Sequence, residues 1–213
     1  MAYRMLDLEQ YQRRQHFEYF RSLANPYVGV TVEIDLTDFF DKIRQKNIPF
    51  FLSFLYIVGN AANSIPQLRQ RIFGGSQIIE FDKCPSSITV LKADESFAYC
   101  DIHTQTPFED YLVEAKNAQV AARVEGNIDH VTNEEAELSR FFVSSTPWFT
   151  YTSILQPTPV PADSNPRITW GKYHEVNGRI MIPVSILAHH ALVDGLHIGN
   201  FYKKIEMNLV ELL

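Results

Sequence analysis

Cysteine is nearly absent. Cys84 and Cys100 are the only two in 213 residues, and they do not form a C-x-x-C pair. A disulfide scaffold is excluded by number. Cys100 and His103 have a C-x-x-H spacing, but no second ligand pair accompanies them, so the reading is no structural zinc and two reduced thiols. Glycine is also sparse, at 9, and proline no more than ordinary, at 11, which excludes collagen-like and low-complexity repeats. Basic excess is missing: 19 Lys and Arg stand against 25 Asp and Glu, a net charge of -6. A broad phosphate-binding surface, and with it a nucleic-acid partner, is therefore not expected. No long apolar run occurs. The longest, Phe50 to Ala62, is about 13 residues interrupted by Ser53, Gly59 and Asn60, which is short of a bilayer span. Met1 to Gln15 is polar and carries Arg13 and Arg14 where a leader would need apolar residues, and there is no N-x-[ST] sequon. These absences lead to an expectation of a soluble, cytoplasmic protein without membrane contact.

What remains is an ordinary globular composition, 46% hydrophobic and 21% charged. A chain of this length suits one domain, residues 1–213. Val28, Val30, Val32 and Ile34 alternate with polar residues and predict a strand over Tyr27–Asp35. Helices are predicted over Gln12–Ser22, from an N-cap at Thr37 to Lys46, over Phe50–Ile65, over Phe108–Val124 and from Asp194 to Leu212. In the last of these Ile198, Phe201, Ile205, Leu209 and Leu212 recur at spacings of three and four. Gly74-Gly75 and Asn177-Gly178 read as hairpin turns. Further strands are predicted over Arg69–Phe73, Gln77–Phe81, Ser87–Leu91, Ser96–Ile102, Phe141–Ser145, Trp148–Ile154, Arg167–Tyr173 and Arg179–Ala188. Asn127–Glu137 reads as a polar loop or short helix, and four prolines make Gln156–Pro166 a loop. The elements mix without strict alternation, so the expected class is α+β, a large mixed sheet with packed helices.

The chemistry concentrates where an apolar strand ends in His189-His190 and Asp194-Gly195 opens the last helix. A strand-to-helix turn is a rigid place to expose a side chain, and imidazole is the side chain whose ordinary pKa makes it a base near neutrality. Asp194 can cap the helix or pair with a cation, and Gly195 allows a close backbone approach. From the residues alone a second reading stays open, with His189 a satisfied core histidine and Asp194 only an N-cap.

The run His189-His190-Ala191-Leu192-Val193-Asp194-Gly195 resembles the HHxxxDG signature of chloramphenicol acetyltransferases, a form of which dihydrolipoyl acyltransferases share. The resemblance extends along the chain through Arg13-Arg14-Gln15-His16-Phe17-Glu18, Ile34-Asp35-Leu36-Thr37, Leu68-Arg69, Ser144-Ser145-Thr146-Pro147-Trp148 and Thr169-Trp170-Gly171-Lys172-Tyr173. It implies acetyl transfer from acetyl-CoA, a co-substrate rather than a resident cofactor, to a small-molecule alcohol. His190 would be the general base, Ser144 the donor to the oxyanion, and Thr169 its support through a water. Asp194 and Arg13 would form the ion pair that holds the turn, and Lys172 and Tyr173 would contact the CoA arm. It also implies a homotrimer with active sites between subunits. His197 is read as a packed helix residue, and His16, His103, His130 and His174 receive no role.

Departures fall at the acceptor side. Gln156 stands where the family carries a leucine, the Pro157–Pro166 loop has no counterpart in the signature, and Ile48-Pro49-Phe50-Phe51 replaces a lysine-bearing segment. Two alternatives follow: a dihydrolipoyl acyltransferase-like enzyme, and a non-catalytic relative binding CoA or a small ligand.

Overall fold

The protein is described here from a computed structural model, covering residues 2–126 and 133–212. In chain order the elements are β1 (Tyr3–Leu6), α1 (Arg14–Phe20), β2 (Tyr27–Asp35), α2 (Thr37–Gln45), α3 (Phe50–Asn63), a 3-10 turn (Pro66–Arg69), β3 (Gln70–Phe73), β4 (Gln77–Phe81), β5 (Ser86–Leu91), β6 (Phe97–Ile102), α4 (Phe108–Glu125), α5 (Glu134–Leu138), β7 (Phe141–Ser145), β8 (Arg167–Trp170), β9 (His174–Val176), β10 (Arg179–His189) and α6 (Gly195–Glu211).

The large sheet runs β2-β10-β8-β7-β5-β6, with β9 pairing β10, and a small sheet runs β1-β4-β3. Pairs β7·β8 and β5·β7 are parallel, while β2·β10, β10·β8 and β5·β6 are antiparallel, so the expected mixed sheet is present. Strand alternation sorts side chains between its faces. Ile88, Val90, Val143, Ile168, Trp170, Val184 and Ile186 are buried in the core. There α3 brings Phe54 edge-on to Trp170, ring centroids 5.3 Å apart, and the Tyr202 hydroxyl of α6 donates to the carbonyls of Val30 and Val184. The opposite face carries Thr89, Ser144, Thr169, Ser185 and His189, and the loop 146–166 crosses it. No described helix is long and apolar enough to cross a membrane.

Several expectations are corrected. Helix α1 is shorter than Gln12–Ser22, because Arg13 (φ −102, ψ 21) is non-helical and its guanidinium is engaged by Asp194. Strand β1 was not expected: two of its four residues face solvent, and only pairing with β4 defines it. Thr37 is inside α2, not its cap. Its N–H and hydroxyl donate to Asp35 Oδ1 at 3.0 and 2.6 Å. Trp148–Ile154 is not a strand, despite its aromatic and β-branched content; Trp148 is 67% exposed. The strand expected over Arg167–Tyr173 stops at Trp170. Gly171 donates to the Pro183 carbonyl at 3.1 Å, but Pro183 has no N–H to return, so the ladder breaks and resumes at β9. Of Asn127–Glu137, α5 supplies the short helix, while residues 127–132, including His130, lie outside the described residues. Both cysteines are free and buried.

Candidate active site

Strand β10 ends because the His190 N–H turns to the Pro26 carbonyl at 2.7 Å. The chain then reverses through buried Ala191, Leu192 and Val193, with the N–H groups of Leu192 and Val193 both donating to the His189 carbonyl. His190 is left half-buried at the rim. Its Nδ1 lies 2.9 Å from the Val193 carbonyl oxygen. A carbonyl only accepts, so Nδ1 carries the proton and Nε2 keeps the lone pair. Phe20 stacks on the ring at 3.8 Å between centroids and 16° between planes. Ring orientation and tautomer are thus both set by the turn.

Beneath the turn, Asp194 does two things. Its Oδ1 accepts the Leu196 N–H at 3.1 Å, capping α6, and its Oδ2 takes the Arg13 guanidinium in an ion pair. The same guanidinium reaches the His190 carbonyl at 3.5 Å. Burial alone would raise the Asp194 pKa. The positive charge of Arg13, the neighbouring His197 and the N–H groups of His197 and Leu196 outweigh it and hold the carboxyl below its ordinary value. His197 packs at 12% side-chain exposure, and its Nδ1 accepts the Asp194 N–H at 3.1 Å. That nitrogen is also 3.0 Å from Asp194 Oδ1. The amide N–H occupies the Nδ1 lone pair, so the contact is a capping box rather than an ion pair, in keeping with the burial that lowers the His197 pKa. Gly195 needs no glycine within this chain, since a Cβ there would meet nothing within 4 Å.

The second group lies mid-sheet. The register pairs Ser144 with Thr169 across β7·β8, and their hydroxyl oxygens are 2.9 Å apart. The Tyr151 hydroxyl donates to the Thr169 carbonyl at 2.9 Å and accepts from Ser185, which bonds Thr31 at 2.7 Å. Gly171 lets Tyr151 lie this close: a Cβ at Gly171 would come within 3.0 Å of the tyrosine ring. Lys172 and Tyr173 follow on the surface, where the Tyr173 ring meets Phe40 and Phe50 at 4.7 and 5.6 Å.

A single chain does not bring the two groups together. Thr169 pairs with Ser185, four residues before His189. At about 3.3 Å per residue and about 4.8 Å per strand, His190 stands on the order of 20 Å from Ser144. No imidazole spans that distance.

Sequence reasoning missed a third group. Arg167 grips Asp163 through both oxygens at 2.8 and 2.7 Å, and Tyr27 donates to the same carboxylate at 3.0 Å. Arg167 also lies over the rings of Tyr27 and Phe142. Burial, then the Asp163 charge, pushes the Tyr27 pKa up to about 12. Burial pushes His189, edge-on to Tyr27, down to about 4. This cluster pins the proline-rich loop over the sheet and closes a cavity of about 380 Å³ that Ser144 lines. A larger groove of about 560 Å³, beside Asp38, Lys42 and Arg179, contains none of the expected site residues. The one local sequence signal for the cluster was the i, i+4 spacing of Asp163 and Arg167, which reads as a helical pair in a segment whose prolines exclude a helix.

The chain is similar to known acetyltransferases along its whole length. The family described as chloramphenicol acetyltransferase matches residues 1–206. Chloramphenicol acetyltransferases of Klebsiella and Escherichia coli are each 27% identical over 206 residues, covering 96% of this chain and 93% of theirs. That of Clostridium butyricum is 28% identical over 213 residues, covering 97% and 94%. A solved chloramphenicol acetyltransferase superposes with a TM-score of 0.86 at 26% identity, covering 98% of this chain and 100% of that one. A probable dihydrolipoamide acetyltransferase from Listeria monocytogenes, at TM-score 0.65 and 19% identity, shares the fold. Fold and histidine turn together define an acyltransferase. The chain belongs to the chloramphenicol acetyltransferase family, whose reaction is acetyl-CoA-dependent O-acetyl transfer.

Proposed function

We propose that this chain, as one domain over residues 1–213, moves the acetyl group of acetyl-CoA to a small-molecule alcohol in the cytoplasm. His190 Nε2 takes the hydroxyl proton while the alcohol oxygen bonds to the thioester carbonyl carbon. The carbonyl oxygen becomes an oxyanion, to which Ser144 donates, with Thr169 at 2.9 Å holding the serine rotamer. When the oxyanion collapses, the carbon–sulfur bond breaks, the ester leaves, and the imidazolium returns its proton to the CoA sulfur. No covalent acyl-enzyme is required. Lys172 and Tyr173, exposed just after Thr169, are placed to meet the CoA arm, with Lys172 toward a phosphate. Arg13 and Asp194 hold the turn and move no proton.

The observation that carries this reading is the tautomer of His190, with Nδ1 spent on Val193 and Nε2 without a partner among the described residues. Its distance from Ser144 supports a site shared between subunits, and the family resemblance makes the assembly a homotrimer in which His190 of one chain meets Ser144 and Thr169 of the next. Chloramphenicol, for which the relatives are named, is the first acceptor to test, and resistance to it is what its turnover in cells would give. The direct experiment is thiol release from acetyl-CoA with and without chloramphenicol, wild type beside His190→Ala. Acceptor-dependent release, lost in the variant, is the expected result. Release that survives the substitution would remove His190 from the mechanism.

A further inference from the structure

The cavity over Ser144 has mostly apolar walls, with polar groups set among them. Thr89 and Tyr99 face each other across β5·β6 and line it, together with Ser87 and Gln156. Ser87 is 2% exposed, and its Oγ is buried with no hydrogen-bond partner among the described residues. A buried hydroxyl left unmet is destabilising, and a hydroxyl of a bound ligand would pair it. Gln156, half-buried in the crossing loop, makes no side-chain hydrogen bond among the described residues. Aromatic and proline surfaces, Phe97, Phe142 and Pro157, supply the walls. The charges of Arg167 and Asp163 cancel in their paired contact. Glu137 adds one negative charge to the lining, which disfavours an anionic acceptor.

We propose that this cavity selects a hydroxyl-rich, non-anionic acceptor, a polyol or neutral sugar, with Ser87 and Gln156 reading hydroxyls other than the one acetylated. The inference rests on the acetyltransferase reading above and adds the acceptor class to it. Ser87 and Gln156 are specificity residues, outside the machinery that moves the proton. An acceptor that satisfies them pairs the buried Ser87 hydroxyl and replaces water at Gln156, whereas an apolar alcohol leaves Ser87 unmet and strips water from Gln156.

The test measures thiol release from acetyl-CoA by the full chain with xylitol, methyl glucopyranoside, N-acetylglucosamine, chloramphenicol and benzyl alcohol. At least one of the three polyols is expected to give the highest kcat/KM of the set. Gln156→Leu and Ser87→Ala are each expected to lower that value by about 10-fold while changing benzyl alcohol by less than about twofold. Both variants are checked for an unchanged thermal midpoint. A preference for chloramphenicol or benzyl alcohol, or substitutions that leave the acceptor ratio unmoved, would overturn the inference and leave the transferase reading standing. Absence of acceptor-dependent release with all five alcohols would instead count against both.

Discussion

The Nδ1–H of His190 donates to the carbonyl oxygen of Val193 at 2.9 Å, three residues along the same turn. The bond fixes which nitrogen is basic, and stacking on Phe20 fixes where it points. Replacing His190 by Ala or Gln is expected to lower kcat by at least about 10²–10⁴-fold, the usual worth of a positioned base. Circular dichroism should show the fold unchanged, because the turn keeps its backbone bonds from His190, Leu192 and Val193 and loses only the ring's contact with the Val193 carbonyl.

Asp194 and Arg13 act on that turn from below. Asp194→Asn keeps a capping side chain but removes the charge, and Asp194→Ala removes both. We expect about 1 kcal/mol more destabilisation for the alanine than for the asparagine, read from denaturant unfolding. The pH dependence gives a second check. The folded carboxyl has a lowered pKa, so its contribution is present above the ordinary carboxyl range and is lost as pH falls through the folded value. The acid side of the stability profile should therefore be shallower in Asp194→Asn than in wild type.

Ser144 and Thr169 share one hydrogen bond across a parallel strand pair. Ser144→Ala is expected to lower kcat by about 10²–10³-fold, with little change in the KM for acetyl-CoA. Thr169→Ala should cost less alone. A double-mutant cycle should then show the pair to be non-additive, because removing either hydroxyl already breaks the bond.

His189, the other histidine of the pair, behaves differently. Its folded pKa is pushed down to about 4 by burial. The unfolded chain binds the proton first as pH falls, so the folded state loses stability between the ordinary histidine value and about pH 4. The loss is on the order of 2–3 kcal/mol at its largest. His189→Gln should flatten that part of the profile in denaturant titrations from pH 7 to pH 4.

The junction of β10 and α6 was legible because two periods meet there. Val184, Ile186 and Ala188 alternate, then Ile198, Phe201, Ile205 and Leu209 recur on one helix face, and a histidine pair breaks the pattern between them. Trp148–Ile154 was misread for the opposite reason. Its composition imitates a strand, but nothing local says that its neighbours in space offer no ladder. The break at Pro183 depends on which strand lies beside it, a tertiary fact. The cluster of Tyr27, Asp163 and Arg167 joins residues 136 positions apart, and no spacing rule reaches that far. The cavity it closes was legible only as a polar Gln156 in a proline-rich loop.

The central claim is that acyl transfer occurs where His190 of one chain meets Ser144 of another. The most direct measurement mixes two inactive variants, His190→Ala and Ser144→Ala, by co-refolding in equal amounts, and assays thiol release. Random assembly into cyclic trimers leaves about one site in four with both groups intact, so about a quarter of wild-type activity should return. Mixtures as inactive as their parents, from refolded and assembled protein, would contradict the account.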